Sequence, residues 1–538
     1  PQAFGAPDAA PAPEIEKETL AAPSERLAGE LGEVPAPAAV RLGPLDVAAL
    51  LAEDAARARE SLRKTGRIGV GRAVRMGPED GLWRPLPGGG GLWVGEVAAA
   101  GAVGLRLHLS RLALPAGSEI ALYSPPPSPA LARAGRVETH EAHPGSAAEL
   151  WTGTVWGERA RLEIRVPEGG RPRFLVDRLQ HLYRDPLGTG GAPALAAAGT
   201  CHNDVTCYPE WADVARAVGR IAFIVGDHTS ACTGELLATQ AADQTPYFLT
   251  AHHCISNPAV AATAEVFWRY QTAACGGPPP ALASVPTSLG ATLLSTGAAS
   301  DFTLLMIDGA LPRRLFWAGW TAAPVDDGTP SAAIHHPLGE FKRISFGDKS
   351  SQVTCGGPRH VRVDWTSGPT EDFSSGAGIY RDDTHQLYGQ LDCGPSACGS
   401  VTHDDFGAFS ATYGAISGLL AAGSDDDSEP NSTCQGARRL TRGTLAGRIV
   451  KSTSHDWYRV RVPAGRTITV TLSFVNAHGD IDARMVGGCG GPVLALANGQ
   501  TDTEVLSYSN PGPATFVEIE VYLYLGTRNR YDISLALR

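Results

Sequence analysis

Tyr247-Phe248-Leu249-Thr250-Ala251-His252-His253-Cys254 is an apolar strand that ends in two imidazoles held against a cysteine. Downstream, Ser300-Asp301-Phe302-Thr303-Leu304-Leu305 places an aspartate at the mouth of a second apolar run. Further on, Phe373-Ser374-Ser375-Gly376-Ala377-Gly378-Ile379-Tyr380 offers a serine followed directly by glycine. A serine hydroxyl is a weak nucleophile unless a neutral imidazole takes its proton, and that imidazole needs a buried carboxylate to hold its tautomer. His253, Asp301 and Ser375 are the candidates, and histidine, aspartate, serine is one of the chain orders in which this constellation occurs. His253 is preferred to His252 because it directly precedes the half-cystine. Ser375 is preferred to Ser374 because the glycine after it lets the backbone turn sharply.

Each part has a plainer reading when taken alone. The two histidines and Cys254 could ligate zinc with His335 and His336, but His336 precedes Pro337 and no further cysteine or carboxylate completes a set. Asp301 by itself would cap a turn. The joint order and spacing of the three carry the argument.

Composition narrows the setting. A chain of 538 residues is too long for one core, so roughly two to four domains are expected. Hydrophobic residues make up 43%, and 63 glycines with 40 prolines favour short strands and turns over long helices. The net charge of −11 is spread along the chain without a basic stripe, so nucleic acid is not an expected partner. Arginine outnumbers lysine by 40 to 5, as a GC-rich genome would produce. No apolar run reaches the ~18 residues of a membrane span, and the first residues lack the basic and apolar segments of a signal peptide. Ten cysteines fall as eight within 201–398 and two within 434–489, without Cys-x-x-Cys knuckles, so each group can pair within itself. Disulfides formed in an oxidising compartment, and hence secretion, follow.

The chain divides by texture into an all-β protein. Residues 1–65 read as a flexible Ala/Pro-rich leader with a short helix over 46–63. Residues 66–185 alternate, as in Leu105-Arg106-Leu107-His108-Leu109 and Ala160 to Val166, and predict a β-sandwich. A Gly/Ala/Pro linker covers 186–199, and the cysteine-rich segment 200–422 has the length of two six-stranded barrels. An acidic linker, 423–430, leads to a second sandwich over 431–538, with strands at Tyr458–Val462, Thr467–Leu472 and Val517–Val521.

Segment 200–422 resembles the bacterial lysyl endopeptidases, a secreted branch of the chymotrypsin-like serine proteases. The matching strings are Cys201-His202-Asn203-Asp204-Val205-Thr206-Cys207, Ala215-Arg216-Ala217-Val218-Gly219, Ala231-Cys232-Thr233-Gly234 and the Thr250 to Cys254 block. Phe267-Trp268-Arg269-Tyr270-Gln271, Leu315 to Trp320, Ile334-His335-His336-Pro337, Lys342 to Ser345 and Thr370-Glu371 continue the likeness. The resemblance implies a double β-barrel, an endopeptidase acting on protein or peptide substrates, and disulfides Cys201–Cys398, Cys207–Cys275 and Cys232–Cys254. Cys355 and Cys393 are then expected to pair, as are Cys434 and Cys489. It further implies that a basic substrate side chain is held by Asp404, close to Thr370 and Glu371. Trypsin's carboxylate six residues before the serine is absent, because that position is Pro369.

Three departures stand out. Phe373 replaces the glycine whose N–H, with that of Ser375, forms the oxyanion hole, and glycine reaches backbone angles that phenylalanine reaches only with strain. Gly376-Ala377-Gly378-Ile379-Tyr380 replaces the family's Gly-Ser-Pro-Ile-Tyr. Asp392, followed by Cys393, stands where the family has histidine and glycine in the substrate-binding strand. The alternative, best supported by Phe373, is a catalytically silent scaffold that binds protein or polysaccharide through its sandwiches. Residues 425–538 resemble the pre-peptidase C-terminal domain of secreted bacterial proteases, and 66–184 resemble their pro-regions. Related C-terminal domains bind calcium near an acidic linker, and oxygen ligands here would suit that ion; acidic linkers are ordinarily just solvated, and the chemistry requires no cofactor. A monomer is expected. The pro-region should mask the cleft or assist folding. No Lys or Arg lies between Asp185 and Cys201, so self-cleavage after a basic residue is expected no closer than Arg184.

Overall fold

The computed structural model describes residues 39–184, 201–422 and 431–538, apart from 87–88, 116–117, 126–137, 142–148, 241–243, 442, 452–453, 477–478 and 526–527. The expected linkers at 186–199 and 423–430, the latter with its calcium site, and most of the leader lie outside these residues. Helix α1 (Val47–Glu60) starts where the Asp46 carboxylate accepts the Ala49 N–H at 3.0 Å. It carries Arg57 and Arg59 in its last turn, where cations oppose the helix dipole. At Ser61 the backbone turns extended and runs on to strand β1 (Gly66–Met76). The leader also contributes a strand that composition hides: Ala39–Leu42 pairs in parallel with Gly91–Ala99. Around these elements the alternating segments form two sheets over a core of Trp93, Leu105, Leu107, Leu109 and Ile164.

The first barrel is built from β2 (Val218–Val225), β3 (His228–Leu236), β4 (Tyr247–Ala251), β5 (Glu265–Trp268), β6 (Ala291–Gly297) and β7 (Phe302–Ile307). Pairing runs β5-β2-β3-β4-β7-β6. Strands β4 and β7 are buried along their whole length, so they read as continuous apolar runs rather than as alternation. The second barrel takes β8 (Pro330–His335), β9 (Arg343–Ser350), β10 (His360–Ser367), β11 (Gly378–Arg381), β12 (Leu387–Cys393) and β13 (His403–Ala408). Its path β9-β8-β11-β12-β13-β10 closes through β10 on β9. The five bridges Cys201–Cys398, Cys207–Cys275, Cys232–Cys254, Cys355–Cys393 and Cys434–Cys489 leave no free cysteine. Residues 431–538 pack a five-stranded on a four-stranded sheet around Tyr458, Val470, Ile519 and Tyr531.

One of the two sheets of residues 66–184 is continuous with the first barrel. Strand β1 pairs antiparallel with β3 of that barrel, at His228↔Val70, Thr229↔Gly69, Ser230↔Arg67 and Ala231↔Gly66. One sheet of 12 strands therefore runs from the N-terminal segment into the barrel. The seam is hydrogen-bonded by side chains as well: Thr154 donates its N–H and hydroxyl to Glu265, and Arg106 donates to the Thr263 carbonyl at 2.8 Å. Alternation in β1 announces a half-buried strand, but it cannot say which neighbour does the burying.

Candidate active site

Strand β4 delivers His253 to the cleft, and the turn before β7 delivers Asp301. His253 Nδ1 lies 2.7 Å from Asp301 Oδ2, and the His253 N–H donates to Asp301 Oδ1 at 3.1 Å. Asp301 sits in the left-handed region at φ 48°, a conformation tolerated where surrounding structure enforces it. Enforcement comes from Gln390 of the second barrel, whose Nε2 donates to the Ser300 carbonyl, and from Thr412 in the helix Phe409–Ala422, whose hydroxyl meets that of Ser300. His253 Nε2 is 2.8 Å from Ser375 Oγ. The neighbours are engaged elsewhere: His252 Nδ1 meets the Thr296 hydroxyl, and the Ser374 hydroxyl meets His335 Nδ1. His335 and His336 are core residues bonded to Ser345 and to the Glu340 carbonyl, so the zinc set does not assemble. Gly376 has φ 82°, and a Cβ there would lie 2.3 Å from Thr250 Oγ1, which is why glycine must follow the serine.

The cleft between the barrels holds a segment of the chain itself. Gly394 N–H donates to the Leu62 carbonyl at 2.9 Å, and Arg63 bridges Cys393 in antiparallel register. The backbone of Lys64 then passes over the serine: its N–H is 3.0 Å from Ser375 Oγ, and its carbonyl accepts the Ser375 N–H at 3.3 Å. Thr65 Oγ1 lies 3.5 Å from Cys232 Sγ, against the Cys232–Cys254 bridge. Gly66 packs on the Phe373 ring so closely that a Cβ would come within 2.4 Å of it. This is how a substrate strand lies across a protease, one subsite per residue.

Lys64 fills a closed pocket. Its Nζ contacts Asp404 Oδ1 at 2.7 Å, Thr370 Oγ1 at 2.6 Å, the Thr370 carbonyl at 2.9 Å and the Ser396 carbonyl at 2.8 Å. Asp404 Oδ2 accepts Trp365 Nε1 and the Thr370 hydroxyl, each at 2.6 Å, so only Oδ1 faces the cation. Burial pulls the Lys64 ammonium down and the Asp404 carboxyl up, and each is drawn back by the other's charge. A buried pair of this kind is tolerable only because the remaining lone pairs and protons are satisfied.

Burial alone would lower the His253 pKa, but Asp301 and Asp392 together hold it above the ordinary imidazole value. Asp392 Oδ1 stands 3.5 Å from His253 Nδ1 and 3.4 Å from Arg63 Nε, while its Oδ2 is 3.1 Å from His360 Nε2. Burial would raise the Asp392 pKa, yet the two histidines keep it well below the carboxylate range. The residue therefore lies beside the imidazole as well as along the segment in the cleft.

Two expectations need correction. Glu371 does not touch Lys64; its carboxylate is spent on His202 Nε2 at 2.8 Å and the Cys398 N–H at 3.0 Å, bracing the wall instead. Phe373 adopts φ 73° with its ring buried, but its N–H makes no hydrogen bond to the Lys64 carbonyl, which meets the Ser375 N–H alone. Sequence reasoning missed Trp365, Ser396 and Gly394 because nothing local marks them. It also missed Lys64, although a lysine among only five, in Leu62-Arg63-Lys64-Thr65 between a helix and a strand, was a usable signal.

A family model described as the lysyl endopeptidase C-terminal domain matches residues 195–410, and one described as the lysyl endopeptidase N-terminal domain matches residues 41–183. A lysyl endopeptidase of Pseudomonas aeruginosa is 31% identical over 420 residues, covering 71% of this chain and 88% of that protein. Among solved structures, the active form of the Rv3671c protease from M. tuberculosis aligns at 15% identity and TM-score 0.28, covering 44% of this chain and 96% of that one. Human heparin binding protein aligns at 18% identity and TM-score 0.30, covering 38% and 91%.

Proposed function

The chain belongs to the lysyl endopeptidase family and is a serine endopeptidase, and we propose that it is secreted and hydrolyses proteins and peptides after lysine, with His253, Asp301 and Ser375 as catalytic residues. His253 takes the Ser375 proton as Oγ attacks the scissile carbonyl carbon, then passes it to the leaving amine. Asp301 holds the ring so that Nε2 faces the serine, and it stabilises the imidazolium. The Ser375 N–H meets the developing oxyanion, and the Phe373 N–H joins it as the Asp372–Phe373 peptide rotates toward the site. Water then releases the acid from the acyl-enzyme.

The observation that carries lysine is the seat of Lys64. Four oxygens converge on one nitrogen in a closed pocket. That arrangement suits a compact ammonium with three donors; a guanidinium is longer, flat and forked, and would leave donors unpaired. Five disulfides support an oxidising, extracellular setting. Sequencing the products from a denatured protein mixture tests the reading. Cuts overwhelmingly after lysine are expected, whereas equal cutting after arginine would refute it.

A further inference from the structure

We propose that the Lys64–Thr65 bond is a self-processing site, cut by Ser375 of the same chain. The proposal rests on the lysine reading and goes beyond it by naming a particular bond and an intramolecular route. Register is the first argument. Leu62, Arg63, Lys64 and Thr65 each occupy a successive position along the cleft, and the residue at the serine is the one whose side chain fills the Asp404 pocket. A merely obstructive pro-region could cover the cleft with any residue, whereas here the covering residue is the one the pocket selects.

Tethering is the second argument. On the carboxyl side, β1 is locked to β3, beginning at Ala231↔Gly66. On the amino side, α1 is fixed through Asp54, which accepts Arg67 Nε at 2.8 Å, the Tyr183 hydroxyl at 2.6 Å and Arg184 at 2.7 Å. The bond is thus presented at the effective concentration of a pre-oriented intramolecular reaction, far above any concentration of free chains. The Phe373 ring lies against Gly66, where any larger residue would push the strand away from the serine.

The chemistry balances without a further reagent. Ser375 Oγ bonds to the Lys64 carbonyl carbon while its proton passes to His253. The C–N bond to Thr65 breaks, and Thr65 leaves as an amine carrying that proton. Water adds to the acyl carbon, its proton returns through His253 to Ser375, and Lys64 becomes a carboxyl terminus. Both new ends stay attached to folded elements, so the cut converts a covalent cover into one that can dissociate.

The test is a time course on the purified full chain by intact mass, run in parallel with an added mixed peptide substrate. Fragments 1–64 and 65–538 are expected, with a half-time unchanged over a roughly 30-fold dilution, as an intramolecular step requires. Ser375→Ala should stay whole, and Lys64→Gln, checked by circular dichroism for folding, should lose this fragment pair. A preparation that cuts the peptides after lysine yet keeps Lys64 joined to Thr65 overturns the proposal and leaves the lysine reading standing. A half-time that shortens with concentration overturns the intramolecular route. Cuts after residues other than lysine, or none in either substrate, overturn the lysine reading and the proposal with it.

Discussion

Replacing Asp404 by asparagine tests the specificity pocket at its base. Asp404 Oδ2 accepts two donors, Trp365 Nε1 and the Thr370 hydroxyl, whereas Oδ1 alone faces the lysine ammonium. The asparagine oxygen must therefore take the Oδ2 position, which turns its NH2 toward the cation. A donor then faces a donor in a site closed to water, and the Thr370 and Ser396 carbonyls with the Thr370 hydroxyl are the acceptors left. Removing one partner of a buried pair costs about 3 to 5 kcal/mol, and the surviving carbonyls argue for the lower part of that range. At 1.36 kcal/mol per decade this becomes a loss of roughly two to three orders of magnitude in kcat/KM for lysyl anilides. The same anilides with norleucine at the cleaved position carry no charge and should change by less than about threefold. A fluorophosphonate should still label Ser375, because the pocket lies apart from the His253–Asp301 couple. A lysyl loss below about tenfold, or an equal loss on both substrates, would refute the argument from charge.

Further predictions follow from neighbouring contacts. Because Asp392 helps hold the His253 pKa above normal, and activity needs the neutral imidazole, activity falls as pH drops through that raised value; Asp392→Asn should move the acid limb of the kcat/KM profile to lower pH. Replacing Cys355 and Cys393 by serine opens a loop of 38 residues, with an expected stability loss of about 3 to 4 kcal/mol in chemical denaturation. Because Cys393 and Gly394 form the edge that pairs with the bound strand, KM should rise more than kcat falls. Phe373→Gly relieves the strain at φ 73° but removes the ring packed on Gly66 from the core cluster that also holds Ile68 and Leu182; the N-terminal segment should then dissociate faster from enzyme cut after Lys64, as read by the onset of activity after dilution. Self-digestion of heat-softened enzyme should yield fragments ending at Lys17, Lys64, Lys342, Lys349 or Lys451, and fragments ending at arginine would count against the lysine pocket.

Much of the fold was legible because barrel strands announce themselves. Strands β4 and β7 are buried throughout, and a chemically demanding residue adjoins each, His253 beyond the end of β4 and Asp301 just before β7. The His253, Asp301 and Ser375 positions could be named because each is flanked by a local constraint: a half-cystine, a strand start, a glycine. The pocket was only half legible. Asp404 and Thr370 came from resemblance, whereas Trp365 and Ser396 act through an indole N–H and a backbone carbonyl that any sequence could supply. The resemblance pointed to Glu371 as well, as the neighbour of Thr370 in the matching pair. Successive residues in an extended chain point opposite ways, however, and its carboxylate turns to His202. The contact between Lys64 and Asp404 joins residues 340 apart. Such a pairing exists only once β1 has joined the barrel, and no local pattern encodes it.

The lysine count gains meaning once the pocket is known. A protease that recognises an ammonium threatens itself in proportion to the lysines it exposes, and arginines are harmless only if the pocket rejects them. Among the described residues, lysine occurs four times. Lys342 is buried, with its pKa pulled down to about 7 and its ammonium bonded to the Ala215 carbonyl. Lys451 is buried in a paired strand, and Lys349 lies in β9 with Asp327 as its ion partner. Only Lys64 lies in an extended segment that threads the cleft. An excess of arginine over lysine does not account for the placement of the few lysines. Self-protection does, and among the described residues it leaves the bond after Lys64 as the one presented to the serine.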